Sequence, residues 1–168
     1  PELMLQKAEL LLEEGQSHVL QALQADAAIA DALSTGSTEE VMALQAQKDD
    51  AQAAFRGWLD KAVALFREIA TNHPKFERMP DVLFALGQAY WTREEFETAV
   101  RAFRRIIQDH PKADRVADAG AAIGEYYFQA GPDDVRSPQK ALDAYLEAQK
   151  VASPDKVDYL LYRQAWCR

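Results

Sequence analysis

The chain has 168 residues, 48% of them hydrophobic, with 27 acids against 19 lysines and arginines for a net charge of −8. That apolar content excludes wholesale disorder, and no apolar run approaches the ~18 residues that a membrane helix needs. A single cysteine excludes an internal disulfide and a Cys-rich metal site. The charge is uneven: residues 1–50 hold ten acids and two bases, and the remainder holds seventeen of each. Neither part offers the basic stripe that nucleic-acid binding requires. The chain starts at Pro1 without an initiator Met and shows no signal peptide, and it reads as a piece of a longer protein.

Residues 2–33 form the first predicted helix, rich in Leu, Ala, Gln and Glu. Leu5, Ala8 and Leu12 begin an apolar stripe that Val19, Leu20, Leu23, Ala27, Ala30 and Leu33 continue. Gly15 marks a bend, and Leu10-Leu11-Leu12 makes one turn apolar enough to pack on two sides. After the turn Ser34–Ser37, Ser37 and Glu40 fit a capping box. A second helix follows over Thr38–Asn72, with a heptad-like stripe of Val41, Leu44, Ala51, Phe55, Trp58, Ala62, Leu65 and Ile69, and with Lys48 out of character. At 1.5 Å per residue each helix approaches ~50 Å. Residues 1–72 are therefore expected to form a long helical hairpin.

Beyond it, residues 80–113 place Leu86-Gly87, Tyr90, Ala99, Phe103 and Pro111 in one 34-residue register that starts at Pro80. Small residues at Gly87 and Ala99 let two helices cross closely, and Pro111 stops the second. This stretch resembles the tetratricopeptide repeat (TPR), a pair of antiparallel helices. The resemblance reaches back to Ala62, Phe66, Ile69 and Pro74 as the second half of a preceding unit, whose first half lacks Leu-Gly and has Asp49-Asp50 there. His73 and His110 precede the two equivalent prolines, as helix C-terminal residues. Arg101, Arg104 and Arg105, interleaved with Glu94, Glu95 and Glu97, read as a solvated outer face.

A further repeat covers 114–154, with Asp114 as N-cap and Ile123-Gly124…Tyr127 repeating the motif. Gly131-Pro132 closes its first helix, and Pro132–Arg136 is a loop insertion. Ser137-Pro138 restarts the helix, and Ala141, Tyr145 and Ala148 take the second-helix positions. Ser153-Pro154, with Asp155, starts a last helix within 155–168, where Ala165 takes the small position and no covering helix follows. The strings Gly124-Glu125-Tyr126-Tyr127-Phe128 and Tyr162…Ala165-Trp166-Cys167 resemble TPR proteins of Gram-negative envelopes, of gliding-machinery and Tol–Pal accessory type. That resemblance implies a periplasmic or outer-membrane-associated scaffold.

The fold class expected is all-α: a TPR-type right-handed superhelix of antiparallel helix pairs over 73–168 after the hairpin of 1–72. No phosphate loop, no nucleophile–base spacing and no facing carboxylate pair is found, so neither catalysis nor a cofactor nor a metal is expected. The TPR resemblance implies a concave face built by the first helices, at Asp81, Phe84, Gln88 and Trp91, then Asp118, Ala121, Glu125 and Phe128, with Tyr159, Tyr162 and Trp166 from the last. Phe84 and Gln88 stand where a carboxylate clamp would have Lys and Asn, so the partner expected is an apolar or proline-containing protein segment. The rings are read as surplus to packing within each repeat; the other reading has them pack on further repeats or on the hairpin. The function read is a protein–protein scaffold, a monomer because the four-residue turn favours the intramolecular hairpin. The alternative is an oligomerisation module that works through the hairpin.

Overall fold

A computed structural model describes residues 1–130, 133 and 135–167. The described residues are helical, with no strand among them, so the protein is all-α. Among the described residues seven α-helices follow in order: α1 (Glu2–Thr35), α2 (Thr38–Asn72), α3 (Met79–Thr92), α4 (Phe96–Asp109), α5 (Val116–Glu125), α6 (Pro138–Gln149) and α7 (Pro154–Trp166), with a π-helical turn at Tyr126–Ala130. The chain divides into two compact units, Pro1–Ile69 and Ala70–Arg168. No helix among the described residues is long and apolar enough to cross a membrane.

In the first unit, α1 ends on Gly36 in the left-handed region, φ 77°. There the Gly36 N–H donates to Leu33 and the Ser37 N–H to Ala32, the paired bonds of a Schellman cap. Ser37 also opens α2, its carbonyl accepting the Val41 N–H at 3.1 Å. The helices are antiparallel: Asp26 meets Lys48 at 2.5 Å, whereas the earlier Gly15 faces the later Phe55 and Trp58. Lys48 thus has a partner across the seam, which explains a lysine in an otherwise apolar stripe. That stripe of α2 is buried or half-buried throughout.

The stripe expected on α1 is its seam at Leu5, Ala8 and Leu12, which are buried or half-buried, but not from Val19 on. There Gly15, His18, Ala22, Ala25, Ile29 and Ala32, at heptad spacing with Ala8 and Leu11, are buried or half-buried instead. Leu20 and Leu23, at 57% and 60% exposed, face solvent, as do Val19, Ala27, Ala30, Leu33 and Leu10. The reason is size. A Cβ on Gly15 would sit 3.3 Å from both Phe55 and Trp58, so at this crossing the bulk comes from α2 and α1 supplies the small residue, as it does again at Ala22, Ala25 and Ala32. Gly15 is therefore a point of close approach within a continuous helix.

In the second unit α3 and α4 are antiparallel, since Phe84 lies against Phe103 and the later Trp91 against the earlier Phe96. Their turn carries Glu94 at φ 61° and closes with bonds from Glu94 N–H to Trp91 and Glu95 N–H to Tyr90, both 2.9 Å. Gly87 is the crossing point: a Cβ there would stand 2.5 Å from the Phe103 ring. The pair α5–α6 repeats the device, with Gly124 under Tyr145 at 2.4 Å. Phe103, Tyr145, Ala99 and Ala141 are essentially inaccessible.

Ser137 caps α6 by accepting the Lys140 N–H at 3.3 Å, and both α6 and α7 start on the proline after a serine. Two expectations shift. Arg115, not Asp114, precedes α5, because the turn bonded from Ala113 to His110 and from Val116 to Ala113 delays the helix. Ala165 is exposed, while Leu160 and Gln164 are the buried residues of α7, so the tightly packed position is not Ala165. Leu160 docks on the cluster of Ala141, Tyr145 and Ala148, and buried Gln164 donates to Gln149 at 2.8 Å. Of the expected helix stop and insertion, Gly131, Pro132 and Asp134 lie outside the described residues.

Candidate functional site

The helices α3, α5 and α7 start alike. Asp81, Asp118 and Asp155 recur at a spacing of 37 residues, each in the first turn of its helix. Carboxylates there complement the helix dipole. The first two also join neighbours: Arg115 bonds Asp81 at 2.9 Å and Asp118 at 3.4 Å, and Lys156 reaches Asp118 at 2.7 Å. This ladder raises the Arg115 pKa, chiefly through the hydrogen bond to Asp81, against the effect of burial.

Beside the ladder lies a cavity of about 390 Å³, lined by Phe84 from α3, Ala117, Asp118, Ala121 and Glu125 from α5, and Tyr159 from α7, among others. The alanines leave room in its floor. Phe84 forms a wall, with the Arg115 guanidinium 5.0 Å from its centroid. Glu125 is the hub of the opposite end. Its carboxylate accepts the Tyr145 and Tyr159 hydroxyls at 2.8 Å each and pairs with Arg163.

Burial first, and then the bond to Glu125, push the Tyr159 hydroxyl up to about 12. Tyr145 is raised as well, again by burial first. For Arg163 burial acts to lower the pKa, but its bond to Tyr145 and the charge of Glu125 outweigh this and raise it.

No model of a known protein family matches the chain, and no curated protein matches it. Among the described residues no group of three or more His, Cys, Asp and Glu is placed to hold a metal ion.

Of the residues picked from sequence, the fold brings Phe84, Glu125 and Tyr159 to one cavity. Tyr162 and Trp166 continue from Tyr159 along α7 at helical spacing, edge-to-face at 6.0 Å and 58% and 62% exposed. Gln88 is exposed. The idea that the rings are surplus to packing fails for three of them. Phe84 lies 5.5 Å from Phe103, and Trp91 packs edge-on against Phe96 at 5.0 Å. Phe128 sits against the Tyr145 cluster with Arg163 at 4.6 Å. Arg104, read as outer-face, donates to Tyr127 at 2.5 Å.

Sequence reasoning missed Arg115, Lys156, Arg163 and Tyr145 as groove residues. The repeated aspartate at 37-residue spacing was the available signal for the ladder. An acid inside the apolar helix α5 was the signal for a buried cation.

Proposed function

We propose that residues 73–168 are TPR-type helix pairs winding as a right-handed superhelix, and that the protein is a non-catalytic scaffold holding a partner's apolar or proline-containing segment between α3, α5 and α7. The observation that carries this reading is the cavity: Phe84, Glu125 and Tyr159 line it from three successive first helices, next to the exposed Tyr162–Trp166 pair. Its chemistry fits an uncharged occupant. Asp118 is answered by Arg115 and Lys156, and Glu125 by Arg163, so the acids that α5 gives to the wall are already paired. A repeat of 37 residues in the aspartates, and glycine under a ring at both Gly87–Phe103 and Gly124–Tyr145, support the repeat reading.

The test is an array of apolar and proline-containing 12-residue peptides probed with the full chain, followed by calorimetry on the strongest binder. Tyr162→Ala is expected to cost about 2 kcal/mol or more of binding, roughly thirtyfold, with the melting midpoint held because the ring is exposed. Arg101→Ala, on the outer face and bonded only locally to Thr98, is expected to bind as the wild type does. Normal binding by Tyr162→Ala, or no peptide held better than its scrambled version, overturns the groove.

A further inference from the structure

The face of α1 turned away from its seam has a charge pattern of its own. Heptad spacing puts Glu9, Glu13, Gln16, Leu20, Leu23, Ala27 and Ala30 on one stripe, every one of them exposed. Its first half is acidic and its second half apolar, with Asp26 and Asp31 at the edges of the apolar half. Exposed Leu20 and Leu23, three residues apart and continued by Ala27 and Ala30, make a small apolar surface that fits another helix.

The charge decides which helix. Across Glu2–Thr35 the sequence has six acids and a single lysine, Lys7, a net of −5. A second copy laid parallel would set like charges against each other, and one laid antiparallel would press Glu9 and Glu13 onto the other's leucines and alanines with no cation to answer them. We propose that the outer face of α1 docks a basic amphipathic helix of another protein, with leucine-type residues over Leu20 and Leu23 and lysines or arginines opposite Glu9 and Glu13. Attraction between the acidic half and the basic partner speeds encounter, and apolar burial at the leucines holds the complex. This site is independent of the groove of the second unit and stands or falls separately from it.

The probe is a labelled 21-residue amphipathic helical peptide whose heptad seam carries leucines in one half and lysines in the other. The same peptide with glutamates in place of the lysines is the control. Binding to the full chain is read by fluorescence anisotropy across a salt series. The lysine peptide is expected to bind and the glutamate peptide not. Leu20→Gln/Leu23→Gln, both exposed and so neutral to folding by circular dichroism, is expected to weaken binding at least tenfold. Glu9→Gln/Glu13→Gln is expected to weaken it and flatten the salt dependence. Equal binding of the lysine peptide to the leucine variant would reduce the effect to unspecific charge and overturn the proposal, as would no binding at all. A concentration-dependent dimer in sedimentation equilibrium, abolished by Leu20→Gln/Leu23→Gln, would also overturn it in favour of a second copy.

Discussion

The hairpin and the array of short helices solve the same problem, two helices crossing closely, with different tolerances. In the hairpin, the seam runs the length of α1 and mixes Gly15 and alanines with larger residues such as Leu5, Leu11 and Ile29, and the nearest side chains stand 3.3 Å from a Gly15 Cβ. In the array the approach is concentrated at single points, where the Phe103 and Tyr145 rings stand 2.5 Å and 2.4 Å from the Cβ positions of Gly87 and Gly124. A long seam spreads a misfit over many contacts, while a short helix pair has one crossing and no neighbours to absorb it. The polar chemistry divides the same way. The hairpin ties its helices with the partly exposed Asp26–Lys48 pair, whereas the array places Glu125 and Arg163 in a largely buried network with two tyrosines.

The largest effect expected from this contrast is Gly87→Leu, which must displace the buried Phe103 ring. It should lower stability by ~3 kcal/mol, the top of the usual overpacking range, measured by denaturant unfolding. An unchanged midpoint would show that the crossing is looser than the geometry states.

The second concerns the buried network and pH. The folded state holds Tyr159 protonated to about 12 against an ordinary value of 10.0. A raised folded pKa means that its contribution is complete below pH 10 and is lost as pH rises toward 12. Tyr145, raised for the same reasons, acts in the same direction. Urea midpoints should therefore fall between pH 9 and 11.5, and fall less steeply in Tyr159→Phe. Parallel curves for the two proteins would remove Tyr159 from the network.

The smallest effect belongs to the hairpin. Gly15→Ala gains ~1 kcal/mol of helix propensity and meets side chains that need yield only a few tenths of an ångström. The net change should lie within ~1 kcal/mol of zero. A loss as large as that of Gly87→Leu would erase the distinction between the two seams.

The sequence by itself determined the helices and most of their ends. Caps, prolines and periodicity act within a few residues, as at Gly36, at Ser137-Pro138 and at the stripe of α2 from Val41 to Ile69. It also determined where helices cross, because Gly87 and Gly124 fall opposite rings in a fixed spacing. The tertiary structure alone decided which stripe of α1 turns inward beyond Leu12. Both stripes have helical periodicity, and the choice rests on whether small or large residues face Phe55 and Trp58. It likewise set the phase of α7, where burial of Leu160 and Gln164 leaves Ala165 outside. The Glu125 network joins residues 20, 34 and 38 positions away. No local pattern encodes such pairs; they follow from the need of a half-buried carboxylate for the nearest cation and hydroxyls that packing supplies.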